Sequence, residues 1–279
     1  MGQDLHRCFE RHFHPEVALS HSQFDDAFRL RYQVYCLEKG FEDAARFPDG
    51  CERDRYDGHS VQMLVRHRGT GLAVGAVRLI LPDRSAHSWS FPFEDLCGYT
   101  VLGRRLDGVG DPPLDVGEVS RFAVSRNLLA SVWEPAMDHW DGAPRGRPEE
   151  RCSSQLVALG LIALLFGVSA EYGVHTWYAM MEAALARHLA RLGIEFRQIG
   201  PAVEHRGRRQ PMAARVDDLL ARIEATNPAF HRLIIEVRNA TRVHGWSGSD
   251  WKPGPGDLSR AAAAPRQSDL YVRYPPSPS

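Results

Sequence analysis

The chain has no paired-cysteine motif, no long apolar run and no excess of either charge. Five cysteines (Cys8, Cys36, Cys51, Cys97, Cys152) are scattered, with no C-x-x-C pair among them. An odd number without a framework argues against a disulfide scaffold and fits reduced thiols, so a cytoplasmic location is expected. The first residues carry Asp4, Arg7, Glu10 and Arg11 around no apolar segment, so no signal peptide is expected. The longest apolar run, Leu156 to Ala170, is shorter than the ~18 residues of a spanning helix. It reads as a buried helix, and no transmembrane segment is expected. A formal net charge of -1 supplies no bulk field for nucleic acid or an anionic membrane. No metal-ligand spacing stands out among the 13 histidines, so no metal is expected, and there is no internal repeat.

What is present suits a globular protein of 279 residues, 43% hydrophobic and 25% charged. Beyond about Thr241 the composition shifts to Gly, Pro, Ser and Ala. The expected division is therefore a folded domain over 1–240 and a disordered tail over 241–279.

Hydrophobic phase singles out three arginines. Residues 1–19 read as a lead-in strand or arm. Ser22 with Asp25 fits a helix start, and the helix runs through Lys39 to Gly40. Its apolar stripe is Phe24, Ala27, Phe28 and Tyr35, and Arg31 falls on the same stripe. A guanidinium there is costly unless paired, which points to Asp54 or Asp57 as its partner. Ser60–His67 and Leu72–Leu81 read as a hairpin about the turn Arg68–Gly71. Val74, Ala76, Arg78 and Ile80 share one face of the second strand, so Arg78 is the second buried charge. Gly117 to Arg126 reads as a central strand. Glu118 and Arg121 are an odd number apart, so a bulge is needed for both to reach one site.

The acidic half of this set is Glu52-Arg53-Asp54-Arg55-Tyr56-Asp57, which follows a Pro/Gly turn. Asp54 and Asp57 are expected to hold arginines, leaving Glu52 free. Residues 82–115 form a long irregular segment whose aromatics (Trp89, Phe91, Phe93, Tyr99) suit a packed lid. Residues 127–151 read as a second irregular insertion, then an apolar helix from Ser154 to Tyr172. The start of this long apolar helix, the next helix after the central strand, reads as a natural phosphate cradle. A strand (175–181), a helix (182–192), short strands and two helices (217–225, 228–239) complete the order. The order implies an α/β layer with a mixed sheet. Arginine clusters at Arg145/Arg147/Arg151 and Arg206/Arg208/Arg209 suit an acidic or phosphate-bearing partner.

Arg31, Tyr35, Phe41, the 52–57 segment, Arg78 and Glu118-Val119-Ser120-Arg121-Phe122 together resemble the GNAT-type acyltransferases of the acyl-homoserine-lactone synthase branch. The stretches 29–36, 41–43, 47–50, 118–124, 177–182 and 200–204 are similar to the PEP-CTERM/exosortase system-associated acyltransferases, an autoinducer-synthase-like group related to N-acyl amino acid synthases. The resemblance covers roughly 15–238. It implies a GNAT-like, mostly antiparallel twisted sheet with a split central strand pair flanked by helices. It also implies an enzyme, an N-acyltransferase moving a long-chain acyl group from a thioester to an amine. Two features depart from the lactone synthases: Phe41 stands where they carry tryptophan, and their S-adenosylmethionine pattern is not evident. The glycine-bearing pyrophosphate loop of GNAT enzymes is absent at Arg126-Asn127-Leu128-Leu129-Ala130. That favours an acyl-phosphopantetheine thioester on acyl carrier protein over acyl-CoA as donor, with an amino acid or related small amine as acceptor.

Within that reading Glu118 is the candidate general base and Glu52 the second choice. Arg78 and Arg121 are candidates to bind an acceptor carboxylate, with Arg31, Asp54, Asp57, Tyr35 and Phe41 around them. The acyl chain is expected along Phe122, Val124, Trp177, Tyr178 and Met180, and the arginine clusters are expected to dock the carrier protein. The alternatives are an acyl-homoserine-lactone synthase using S-adenosylmethionine, a non-catalytic GNAT-like module of the exosortase system, and protein N-acyltransfer.

Overall fold

The computed structural model describes residues 5–82, 90–97, 115–133 and 148–241, without the side chains of 148–153. Trp89, Tyr99, Arg145, Arg147, the Arg151 side chain and the tail beyond Thr241 lie outside the described residues.

The lead-in is a helix followed by a strand: α1 (Leu5–His12) and β1 (Phe13–Val17). Helix α2 (His21–Tyr32) is capped two residues before the expected Ser22. Ser20 accepts from the Gln23 N–H, and the Gln23 side chain returns to the Ser20 N–H, forming a capping box. The α-helix ends at Tyr32. A π-helical turn, Gln33–Glu38, continues it to Lys39, and Gly40 closes it at φ 61°. Strands β2 (Ser60–His67) and β3 (Ala73–Ile80) form the expected hairpin.

Helix α3 (Pro92–Cys97), strand β4 (Val116–Val124) and helix α4 (Arg126–Trp133) follow. Helix α4 corrects the expectation of an irregular 127–151 insertion. Helix α5 (Pro148–Tyr172) is therefore not the helix that directly follows the central strand. The rest is β5 (Thr176–Met181), α6 (Ala183–Ala190), β6 (Arg197–Gln198), β7 (Val203–Glu204), β8 (Arg208–Arg215), α7 (Val216–Thr226) and α8 (Pro228–Ala240).

The sheet order is β1-β2-β3-β4-β5-β8-β6, with β7 paired to β8. Every described pairing is antiparallel except β4 with β5. That parallel pair holds only over Val116–Glu118 against Thr176–Tyr178. Beyond Glu118 the two strands part, β4 staying on β3 and β5 on β8.

The principal core lies on the α5 face. Val157, Leu161, Ile162, Leu164 and Leu165 pack there against Val61, Met63, Val77 and Leu79. The approach is close: a Cβ on Gly75 would stand 2.4 Å from Val157, and one on Gly160 2.3 Å from Phe9. The apolar part of α5, Ser154–Tyr172, is 19 residues and long enough to cross a membrane, but 61% of it is buried inside the fold. It is a core helix by packing, not by shortness. Helix α2 covers the other face, where Ala27, Leu30 and Val34 meet Leu64, Ala76 and Ala123.

Candidate active site

Under α2 the sheet carries a polar row in place of an apolar one. Register sets Gln62, Arg78 and Ser120 side by side on β2, β3 and β4. Gln62 and Arg78 are each 1% exposed, and Arg31 above them is fully buried. Charges this deep persist only when paired and hydrogen-bonded.

The 52–57 loop supplies the partners and is itself pinned. The Glu52 N–H donates to the Phe28 carbonyl of α2. Asp54 accepts from the Tyr56 N–H and Asp57 from the Asp54 N–H, so each carboxylate is held by its own loop. Arg31 Nε lies 2.6 Å from Glu52 Oε2, and its Nη1 lies 2.6 Å from Asp57 Oδ1. Arg78 donates to Asp54 at 2.6 and 2.9 Å, to Asp57 at 2.7 Å and to the Ser120 hydroxyl at 2.9 Å. Arg121 reaches Glu52 at 3.0–3.1 Å and Asp54 at 3.1 Å.

Of the expected partners, Asp57 holds Arg31, joined by Glu52, while Asp54 goes to Arg78 and Arg121. Two other pairing expectations change. Glu52 is not free but clamped between two guanidinium groups. Burial works against its charge, yet Arg121 and Arg31 overrule that and hold its pKa to about 2. Asp54 is likewise pulled down by Arg78 and Arg121 against burial. Arg78 and Arg121 already spend their forks on Glu52, Asp54, Asp57 and Ser120, so neither presents an open fork to a carboxylate.

The bulge lies in β4. Arg78 pairs with Ser120 and Ala76 with Ala123, so Arg121 and Phe122 together oppose Val77. Arg121 has φ 50°. A left-handed non-glycine residue costs roughly 1–3 kcal/mol, and the contacts to Glu52 and Asp54 hold it there.

Glu118 stands at the last paired residue before β4 and β5 part, and it is 2% exposed. It accepts from the Phe93 N–H at 3.0 Å at the start of α3. Burial pushes its pKa up to about 8, only partly offset by that N–H and by Arg78. Two carboxylates of one site are thus driven apart. Glu52 is fixed as an anion, while Glu118 exchanges its proton near neutrality.

A cavity of about 360 Å³ occupies the parting of the strands. Asp54, Arg78, Glu118, Ser120 and Arg121 line its polar end, with Tyr35 and Phe41 beside them. Ile162, Leu165, Trp177, Leu189, Ile194 and Phe196 line its apolar end. Of the expected acyl wall, Phe122, Trp177 and Met180 line it, whereas Val124 and Tyr178 do not. Val124 packs on the α5 core. Tyr178 shares its face of β5 with Met180 but stacks on Phe93 at 4.9 Å.

Residues outside the expected set also border the cavity: His205, Arg206 and Arg209, from the β7–β8 turn and the start of β8. The Arg206/Arg208/Arg209 cluster was visible in sequence, but its direction was not. Arg206 pairs with Glu42 and Arg209 lies over the Phe41 ring, so among the three only Arg208 is fully on the surface. Nothing in the spacing marked His205. Burial, with Arg206, Arg209 and Arg121 nearby, lowers its pKa to about 4 and keeps it neutral.

The start of α4 is no phosphate cradle. The Ser125 hydroxyl accepts from the Leu128 N–H, and Glu38 contacts both the Arg126 N–H, at 3.2 Å, and the Ser125 hydroxyl. A carboxylate therefore already occupies the positive end of the helix. Among the described residues no group of His, Cys, Asp and Glu could hold a metal ion.

Residues 30–131 match the model of the acetyltransferase (GNAT) domain. Solved structures similar to this chain include the CoA-dependent acyl-homoserine lactone synthase BjaI, with SAM and isopentyl-CoA. It shares 18% identity, with 90% of this chain and 99% of that chain covered and a TM-score of 0.51. The CoA-dependent acyl-homoserine lactone synthase MesI shares 21%, covering 78% and 95%, at a TM-score of 0.50. FeeM, an N-acyl amino acid synthase from uncultured soil microbes, shares 15%, covering 75% and 93%, at 0.47. At such identities the likeness is one of fold. No curated protein matches the chain in sequence. Residues 30–131 thus carry the match to a GNAT acetyltransferase domain, and the open, mostly antiparallel sheet with its parting strands is that of a GNAT-like fold.

Proposed function

We propose that this enzyme transfers a long-chain acyl group from an acyl carrier protein thioester to the amine of an amino acid or related small molecule. The observation that carries the reading is Glu118. It is a buried carboxyl with its pKa pushed up to about 8, in the wall of a cavity whose far end is apolar.

The amine nitrogen attacks the thioester carbonyl and the carbon–sulfur bond breaks. The nitrogen's proton passes to Glu118, directly or through a water, and from Glu118 to the leaving thiolate, which departs as the thiol. The β4 backbone beyond Glu118 has lost its β5 partner, and an N–H there can donate to the developing oxyanion. Arg31, Arg78, Arg121, Glu52, Asp54 and Asp57 act as a rigid charged floor that fixes β4 and its bulge. The acyl chain lies along Trp177, Leu189, Ile194 and Phe196. Glu38 at the start of α4 opposes a pyrophosphate there, which supports a carrier-protein donor over CoA. The resemblance to the exosortase-associated acyltransferases supports service to that system.

Thiol release from a hexadecanoyl-phosphopantetheine donor, with amino acids and with S-adenosylmethionine as acceptors, tests the reading. Release with amino acids and mass-spectrometric detection of N-acyl amino acids are expected. Release only with S-adenosylmethionine would assign lactone synthesis instead, and release with no acceptor would contradict acyl transfer.

A further inference from the structure

Within the charged wall of the cavity, the cations are accounted for with one exception. Arg31, Arg78, Arg121 and Arg206 meet Glu42, Glu52, Asp54 and Asp57, and the half-exposed Arg46 also reaches Glu42. Arg209 has no ion pair among the described residues, and its Nε is buried without a hydrogen-bond partner. A guanidinium on a cavity wall without a carboxylate of its own is the group there that can take one from a ligand.

The position is built. Arg209 is the second residue of β8, opposite Val203 of β7. The intervening turn is closed by the His205 N–H donating to the Gly207 carbonyl, with Arg206 and Gly207 at φ 51° and 97°. The Arg209 guanidinium lies over Phe41 at 5.6 Å, Phe41 tilts against Tyr35 at 6.2 Å, and Arg121 lies over Tyr35 at 5.4 Å. Two aromatic rings thus run between the open cation and the saturated network. Glu182, exposed at the start of α6, is the other charge on this wall, and no described ion pair joins it to Arg209. His205 beside it is neutral and offers no competing charge.

We infer that Arg209 binds the carboxylate of an amino-acid acceptor, with Phe41 orienting its guanidinium. This rests on the acyl-transfer reading and names the group that selects its acceptor. A carboxylate takes the terminal N–H groups, which no described ion pair occupies, whereas Arg78 and Arg121 already hold Glu52, Asp54 and Asp57. The donor's phosphate sits at the far end of a long pantetheine arm, away from the thioester. Arg209 shares one 360 Å³ cavity with Glu118, which favours a small acceptor over that phosphate.

The test is calorimetric binding of the twenty L-amino acids, their carboxamides and 4'-phosphopantetheine to the parent protein, Arg209→Gln and Arg209→Lys. At least one acid should bind about 10- to 100-fold more tightly than its amide, as expected for a charge-assisted pair. Arg209→Gln should abolish that preference and Arg209→Lys should restore part of it, with melting temperatures held. Acids and amides binding alike, no acid binding, or an acid preference that survives Arg209→Gln overturns the inference. Loss of phosphopantetheine binding alone in Arg209→Gln overturns it too, by assigning the arginine to the donor. Thiol release is read separately: acid binding through Arg209 without thiol release keeps this inference and removes the acyl-transfer reading.

Discussion

Arg31 and Glu52, 21 residues apart in sequence, meet at 2.6 Å with both side chains essentially out of solvent. Arg121 closes on the same carboxylate from β4. One carboxylate therefore ties the covering helix, the acidic loop and the bulged strand together.

Arg31→Ala leaves Glu52 and Asp57 buried and each short of one partner. Loss of about 3–5 kcal/mol is expected in urea unfolding, the usual cost of stranding one half of a buried pair. Arg31→Lys keeps the charge but not the three-way fork, and should fall between. An unchanged unfolding midpoint for Arg31→Ala would remove the scaffold role.

Glu118 gives the fold a pH dependence of known sign. Its folded pKa of about 8 lies above the ordinary carboxyl value of 4.5. Its contribution to stability is therefore whole below about pH 4.5 and is lost as the pH climbs through 8. Glu118→Gln cannot titrate, so its stability relative to the parent should rise between pH 5 and pH 8.5. Urea unfolding at those two values checks this, and a constant difference would contradict a buried, protonated Glu118.

Leu189→Trp fills the apolar end of the cavity, where Leu189 lies near Ile194 and Phe196. The preferred acyl chain should shorten, each excluded methylene forfeiting about 0.8 kcal/mol of burial. Donor competition between acyl thioesters of graded length reads the shift. Unchanged preference would place the chain elsewhere.

The parts of this site legible in sequence are those fixed by phase. Period 3.6 put Arg31 on the stripe of α2, and period 2 put Arg78 on the α2 face of β3. The odd spacing of Glu118 and Arg121 required the bulge that β4 has. Partner choice was not legible, because phase says that a buried arginine needs a carboxylate but not which one. The loop's own turn bonds to Asp54 and Asp57 decide that, and they send Glu52 to Arg31. His205, and the inward direction of Arg209, were hidden for another reason. They owe their place to a hairpin turn and to the parting of β4 and β5, both long-range features. Ser22, with an acid three residues on, resembles a cap in sequence, while Ser20 caps α2 by a reciprocal bond with Gln23.

The most direct test is steady-state thiol release by Glu118→Gln, alongside its melting temperature and the pH profile of the parent. The account predicts that kcat/KM of the parent rises with pH to a plateau above about 8. It predicts that Glu118→Gln keeps its fold and loses about 10²–10⁴-fold in kcat, the range of a general base. A folded Glu118→Gln that turns over at the parent's rate would contradict it.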